Sequence, residues 1–215
     1  MSVAALLAAG GAYVPPPPIP GSIVISSLAI ASENLTTLGY ADWNVASNAA
    51  GSDDHKNITS LIVGPTLTNL TRTGGTFSLG ATFSWNAGDG AVHAGAFNCT
   101  DVNGYTKTSN GVTAYVDWTL PAGTVSREAR IFIANYSAGS ATTGLILRAT
   151  LSDGSAAEAT TVPTNASDFT KRTAYYKVAY NAGDDSGRTL RLRFENTGGT
   201  GSGSAQMGFG VVSYI

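Results

Sequence analysis

Most of the chain is made of short runs in which apolar and polar residues alternate. In residues 112–120, Val112, Ala114, Val116 and Trp118 occupy one set of alternate positions, and Thr, Tyr and Asp residues fill the other. A period of two is typical of a strand that buries one face, so Trp118 is predicted to lie in the core. The same kind of pattern indicates strands near residues 23–30, 58–63, 77–85, 130–136, 144–151, 173–179, 190–194 and 207–215.

Clusters of glycine, asparagine, aspartate and serine separate these runs, for example in residues 86–90, 152–155 and 181–187. These residue types mark turns because they tolerate unusual backbone angles or hydrogen-bond to their own backbone. About nine strands at this spacing, without helical periodicity, predict one all-β domain over residues 22–215, either a sandwich or a barrel of antiparallel sheets. The apolar C-terminal strand is expected to pair on both sides, because an exposed apolar edge would promote aggregation.

Composition supports a folded domain and argues against nucleic acid as a partner. Hydrophobic residues make up 43% of the 215 residues and the net charge is −2, whereas disordered chains combine low hydrophobicity with high net charge. Binding to phosphates requires clustered Lys and Arg. The 12 basic residues are spread along the chain, and Arg188, Arg191 and Arg193 are interpreted as part of a solvated strand face.

The first 21 residues are interpreted as an extended arm in two parts. Residues 1–14 are mostly apolar but lack the positively charged start of an export signal, and they are too short to span a bilayer. Residues 15–21 are rich in proline and predict a stiff polyproline II spacer. Two alternatives stay open, an ordinary linker from a multidomain ancestor and a degenerate export signal in residues 1–12. The side chains that we predict to dock on a partner are Val3, Leu6, Leu7, Tyr13 and Val14.

Aromatic and polar residues in predicted loops and at strand ends are the candidates for sugar binding, because aromatic rings stack on pyranose faces while polar groups bond to hydroxyls. The first group is expected in a polar loop, the second at a strand end and the last in another polar loop. For Trp43 and Trp85, a role in covering the core is the competing interpretation. In that order, the candidates are Tyr40, Asp42 and Trp43, then Trp85 and Asp89, then Tyr105.

Catalytic chemistry and bound cofactors are not expected. Most of the 14 acidic residues lie at turn positions, where aspartate caps its own backbone. Cys99 is the single cysteine, and His55 and His93 lack the spacing of a transition-metal site. Calcium is the one ion considered, because Asp53–Asp54 or Asp184–Asp185 could add carboxylates to loop carbonyls, although turn capping explains both pairs more simply.

Several short motifs occur in an order that is similar to a known β-sandwich module. They are Asp42-Trp43, Asp54-His55-Lys56, Ile58–Leu61, Phe83-Ser84-Trp85 before Gly88–Gly90, and the hairpin Ala149–Ser155. Over residues 22–196 the chain resembles a jelly-roll-like accessory domain that accompanies bacterial glycoside hydrolases and other surface proteins. The resemblance implies a jelly-roll-like antiparallel β-sandwich and carbohydrate binding. We expect no catalytic domain within the 215 residues, which leaves open what the module serves.

The layout of an apolar start, a run of prolines and a β domain resembles small structural proteins of tailed bacteriophages. The leading hypothesis is a non-catalytic virion-associated protein, a capsid decoration or fibre. Its arm would dock on a capsid or tail protein, and its sandwich, as a homo-oligomer, would face outward and hold surface glycans. The alternative is a secreted, extracellular carbohydrate-binding module. A third hypothesis is a small hydrolase. No membrane partner is expected.

Overall fold

The computed structural model describes residues 19–29, 31–34, 42–45, 54–55, 61–85, 97–107, 113–137, 145–162, 171–196 and 205–214. Within these ranges the chain forms fourteen strands and no helix. The strands are β1 (Ser22–Leu28), β2 (Glu33–Asn34), β3 (Asp42–Val45), β4 (Asp54–His55), β5 (Val63–Thr68), β6 (Leu70–Trp85), β7 (Phe97–Lys107), β8 (Ala114–Ala122), β9 (Arg127–Ser137), β10 (Leu145–Leu151), β11 (Ala159–Thr161), β12 (Lys171–Asn181), β13 (Arg188–Asn196) and β14 (Ala205–Tyr214).

The described strands form two sheets. Sheet I has the order β1-β12-β9-β14-β7-β6-β2, with β3 paired to β14 and β4 to β3, and sheet II has the order β11-β10-β13-β8-β5. The paired strands run antiparallel except β2 and β6. From β8 to β10, and again from β12 to β14, successive strands alternate between the sheets, which is the interleaved order of a jelly roll. The prediction of an all-β, antiparallel, jelly-roll-like sandwich is confirmed.

The core lies between the inner faces of the two sheets. Burial alternates with exposure along β8 and β10, so every second side chain points inward, and Trp118 is only 1% exposed, as predicted. Each large apolar side chain removed from water stabilises the fold by about 1.5–3 kcal/mol. Sheet II contributes Val116, Trp118, Leu120, Leu145, Leu147, Leu151, Leu190, Leu192 and Phe194, and sheet I contributes Ile131, Ile133, Tyr176, Val178 and Tyr180.

The C-terminal strand occupies the middle of sheet I. β14 pairs with β9 on one side and with β7 and β3 on the other, and a bulge lies between Phe209 and Val212 where it faces β9. Central pairing uses the backbone groups of this apolar strand inside the sheet. The expectation that it pairs on both sides is confirmed.

Two sequence expectations differ from the structure in the described residues. Residues 58–60 of the strand predicted at 58–63 lie outside the described residues, and β5 begins only at Val63, because the backbone N–H of Ile62 bonds to the carboxylate of Asp42 instead of a neighbouring strand. Asp54, expected in a turn, lies in β4 and pairs with β3. Strand β7 was not predicted, since its sequence contains Asn, Asp and Gly residues that usually indicate turns.

The residues that follow the proline run lie against the end of the sandwich where β10 meets β11 and β12 meets β13. Asp153 Oδ2 accepts a hydrogen bond of 2.8 Å from the N–H of Gly183, and Asp153 Oδ1 accepts one from the N–H of Ser155. A Cβ on Gly21 would collide with the Ser155 side chain and lie 2.9 Å from the Asn181 carbonyl oxygen, so only glycine fits there. This contact fixes the point at which the chain enters the domain.

The predicted arm falls mostly outside the described residues. These begin at Ile19, so the docking segment 1–14 and the first prolines are not among them. In the part of the chain that the structure describes, no helix is long and apolar enough to cross a membrane.

Candidate functional site

Asp42 and Trp43 lie in strand β3, which corrects the expectation that they belong to a polar loop. They pair with Tyr214 and Ser213 of β14. The Asp42 side chain is 2% exposed and Trp43 is completely buried. Asp42 Oδ2 accepts a 2.7 Å hydrogen bond from the N–H of Ile62, and Oδ1 accepts one of 2.9 Å from the N–H of Trp43. The carboxylate therefore ties β3 to the start of β5.

The other sequence candidates are spread over the fold. Trp85 is the last residue of β6, at a strand end as predicted, whereas Tyr105 lies within β7 opposite Met207 and not in a loop. Tyr40 and Asp89 lie outside the described residues. Glycan contact by these residues stays a prediction, and contact by Asp42 and Trp43 would require both side chains to leave the interior.

The outer face of sheet II carries a dense row of charged side chains. Register places Arg193 of β13 opposite Asp117 of β8 on one side and Arg148 of β10 on the other. Arg193 donates two hydrogen bonds to Asp117, of 2.7 and 2.6 Å, and its guanidinium carbon lies 3.6 Å from the centre of the Tyr115 ring. The cation thus covers the aromatic face and is neutralised by the adjacent carboxylate.

Arg148 is held in the same way by two acids. It donates a bond of 2.8 Å to Glu158 and one of 3.1 Å to Glu195, so that it bridges β13 and the segment before β11. The second oxygen of Glu158 accepts a 3.0 Å bond from the hydroxyl of Thr150. Burial tends to raise the pKa of Glu158, but the bonds from Arg148 and Thr150 outweigh it, and the pKa is lowered.

A groove with a volume of about 310 Å³ lies on this outer face, next to the row formed by Asp117, Arg193 and Arg148. Arg191 sits between Thr119 of β8 and Thr150 of β10, which are its register partners on the two neighbouring strands. The Arg191 side chain is exposed. The groove is lined by Thr119, Thr150, Leu151, Ser152, Thr189 and Arg191.

Backbone hydrogen bonds make one wall of the groove rigid. The N–H of Ser152 donates a 2.9 Å bond to the carbonyl oxygen of Thr189, and the N–H of Thr189 donates a 3.0 Å bond to Ser152 Oγ. Because Ser152 Oγ accepts this bond, its own proton stays available to donate. The arrangement presents hydroxyl groups on fixed strands around one guanidinium.

The carboxyl groups at the nearby end of the sandwich are committed to structural bonds. A two-point bond from Arg188, and a further bond from the N–H of Ser186, lower the pKa of Asp184 to about 2. Bonds from the N–H and hydroxyl of Thr124 lower the pKa of Asp185. Among the described residues, no group of three or more metal-ligating side chains comes together. The calcium ligands considered from the sequence at 184–185 therefore act here as loop anchors.

Sequence reasoning noticed Arg191 but treated it as one of several solvated arginines. Its partners Thr119 and Thr150 are 72 and 41 residues away along the chain, and only strand register brings them together. The available signal was the outward set of alternate positions, which the pattern of residues 112–120 showed for β8.

No family model matches the sequence, and no curated protein matches it. Among the solved structures that match, three are similar to the fold at low TM-scores. One is TmCBM61 in complex with β-1,4-galactotriose, with a TM-score of 0.30 and 8% identity, covering 54% of this chain and 70% of that one. Another is Xyl-CBM35 in complex with a disaccharide containing glucuronic acid, with a TM-score of 0.33 and 18% identity, covering 73% of this chain and 93% of that one.

The third structure is the arabinose-bound α-L-arabinofuranosidase MgGH51, with a TM-score of 0.37 and 10% identity. The likeness covers 92% of this chain but only 30% of that enzyme. All these likenesses are distant, and none of them identifies a ligand for this chain.

Proposed function

We propose that the chain is a non-catalytic carbohydrate-binding domain, and that the outer face of sheet II holds the glycan. The observation that carries the proposal is the groove beside Arg191, where hydroxyl side chains from three paired strands surround an exposed guanidinium. Sugars present many hydroxyl groups, each of which both donates and accepts hydrogen bonds, and hydroxyl side chains match this pattern.

The size and rigidity of the groove fit a short glycan segment. Its volume of about 310 Å³ lies at the lower end of the range for small-molecule sites, which suits one sugar unit of a longer chain. The lining residues stand on paired strands, so little order has to be gained when a ligand binds.

The described acidic residues support binding without catalysis. A general acid for glycoside cleavage needs a raised pKa and a second carboxyl group across a cleft. The pKa values of Glu158, Asp184 and Asp185 are instead lowered, and each carboxylate is hydrogen-bonded to its neighbours. The same holds for Asp153, where burial tends to raise the pKa but bonds from Ser155 and Gly183 lower it.

The test compares two isosteric variants on a panel of soluble polysaccharides. Thr119→Val removes a hydroxyl from the groove, whereas Thr66→Val removes one from β5, outside the groove and opposite Asp117. We expect the wild-type protein to bind at least one of β-1,4-galactan, xylan, arabinan and polygalacturonate. Loss of a single hydrogen bond should weaken binding about threefold to tenfold in the Thr119 variant alone. Absence of binding to every polymer, or equal affinities of the two variants, would contradict the proposal.

Location follows from the proposed ligand. A glycan-binding domain acts where polysaccharides are exposed, so we propose that the chain works outside the cell, as a secreted module or on a virion surface. Docking of residues 1–14 on a capsid or tail protein, and assembly as a homo-oligomer, stay predictions from the sequence.

A further inference from the structure

The arginines of the outer face differ in how their charge is balanced. Arg193 forms an ion pair with Asp117, and Arg148 forms ion pairs with both Glu158 and Glu195. These ion pairs occupy all three carboxylates that the described part of this face presents beside the groove. Arg193 and Arg148 are therefore fixed and neutralised before any ligand arrives.

Arg191 has neutral neighbours where Arg193 has an acid. Its register partners are Thr119 and Thr150, and among the described residues no carboxylate lies within ion-pair distance of its guanidinium. The positive charge of Arg191 still acts on Glu158. Burial raises the pKa of Glu158, the bonds from Arg148 and Thr150 lower it, and the charge of Arg191 adds a smaller lowering effect. The Arg191 guanidinium therefore has no ion-pair partner among the described residues, and it lies at the side of a groove lined by hydroxyl groups.

We infer that the groove selects an anionic sugar, and that Arg191 binds its carboxylate or sulfate group. The inference rests on the proposed glycan-binding function and adds the class of ligand. A guanidinium binds a carboxylate or a sulfate through two parallel N–H bonds, while the hydroxyls of Thr119, Thr189 and Ser152 reach the ring hydroxyls of the same sugar unit.

The overall charge of the chain makes non-specific attraction to a polyanion a poor explanation for such binding. The net charge is −2, so a polyanion is repelled on average and must find a local positive site. Selectivity would then come from one residue, which makes it testable by a single substitution.

The experiment uses pairs of polymers that differ only in charge. Polygalacturonate is compared with its fully methyl-esterified form, and a sulfated galactan with the same galactan after desulfation. Affinities are measured by titration calorimetry for the wild-type protein, Arg191→Gln, Arg191→Lys and the control Lys177→Gln. Lys177 lies on sheet I, is 37% exposed and is 3.8 Å from Glu128, so its variant loses the same charge away from the groove.

The wild-type protein is expected to bind the charged member of at least one pair about tenfold or more tightly than the neutral member. Arg191→Gln should remove this preference, Arg191→Lys should keep part of it, and Lys177→Gln should keep all of it. The pair that shows the preference distinguishes a carboxylate ligand from a sulfate ligand.

Equal binding of charged and neutral polymers, or a preference that survives in Arg191→Gln, would overturn the anionic-sugar inference while the glycan-binding function stands. Failure to bind any polymer in either pair or in the panel of soluble polysaccharides would overturn both. The circular dichroism spectrum and thermal midpoint of each variant show whether the fold is intact, which is expected because Arg191 is exposed and makes no ion pair among the described residues.

Discussion

Arg193 Nε lies 2.7 Å from Asp117 Oδ1 and Arg193 Nη2 lies 2.6 Å from Asp117 Oδ2, so the two side chains form a two-point ion pair between β13 and β8. Each side chain is 19% exposed, and Arg193 also covers the ring of Tyr115. The ion pair holds in place the side chains next to the groove of Arg191. Arg191 has no such carboxylate opposite it, because its partner on β8 is Thr119.

Asp117→Asn is expected to destabilise the domain by about 1 kcal/mol, because the charge is lost while the shape is kept and solvent screens part of the interaction. Chemical denaturation in urea measures the change. Lys177→Gln serves as the control, since its 3.8 Å contact with Glu128 is long and exposed and its loss should have little effect. Equal denaturation midpoints for Asp117→Asn and the wild type would show that the pair does not stabilise the fold.

Stability should fall in acid through the carboxylates at the end of the sandwich. The folded pKa of Asp184 is about 2, below its ordinary value of 3.8, and that of Asp185 is also lowered. A group with a depressed folded pKa stabilises the fold above its unfolded pKa, and the contribution is lost as the pH falls through the folded pKa. The thermal midpoint should therefore drop between about pH 4 and pH 2.

Asp184→Asn separates this effect from general acid unfolding. The variant loses the titrating group and the charge that pairs with Arg188, so its thermal midpoint should be lower at neutral pH and should fall less steeply in acid. A variant whose acid profile runs parallel to that of the wild type would remove Asp184 as a cause.

Gly183→Ala should loosen the entry of the chain into the domain. A Cβ there would lie 2.7 Å from the carbonyl oxygen of Ile19 and 3.0 Å from Ser155 Cβ, so the segment after the prolines must move. We expect a loss of about 1–3 kcal/mol in stability and faster proteolysis near residue 20. The control is Gly154→Ala, where no atom lies within 4 Å of the added Cβ and only the positive φ of 67° is strained. Unchanged proteolysis in Gly183→Ala would show that the contact does not hold the segment.

The attachment role predicted for the arm can be tested by deletion. Removal of residues 1–18 keeps Ile19–Gly21, which lie against the domain, and removes the predicted docking segment. If the arm docks on a capsid or tail protein, the shortened chain should no longer co-sediment with the particle, while its denaturation midpoint stays the same. Full co-sedimentation of the shortened chain would contradict docking through these residues.

The fold was largely predictable because burial follows the period of two directly. Alternate positions in β8 give Val116 and Trp118 to the core, and the turn signals at 152–155 and 181–187 fall where β10 leads to β11 and where β12 leads to β13. Strand β7 was not predicted because its polar residues favour turns. Its pairing with β6 on one side and with β14 on the other determines its structure instead.

The candidate site was less predictable because it depends on register. Nothing in the local sequence shows that Thr119, Thr150 and Arg191 are neighbours, since each lies on a different strand. The sequence interpretation gave priority to aromatic residues and placed Asp42 and Trp43 in a loop. Hydrogen bonds from Ile62 to Asp42, and pairing of β3 with the C-terminal strand, place them in the interior instead.

The most direct test of the proposed glycan-binding face is a nitrogen-15 NMR titration of the whole chain with an oligosaccharide from whichever polymer binds. The account predicts that the largest chemical-shift changes occur at the backbone amides of Thr119, Thr150, Ser152, Thr189 and Arg191, which line the groove. Changes confined to β3 around Asp42 and Trp43, or to strands of sheet I, would contradict it.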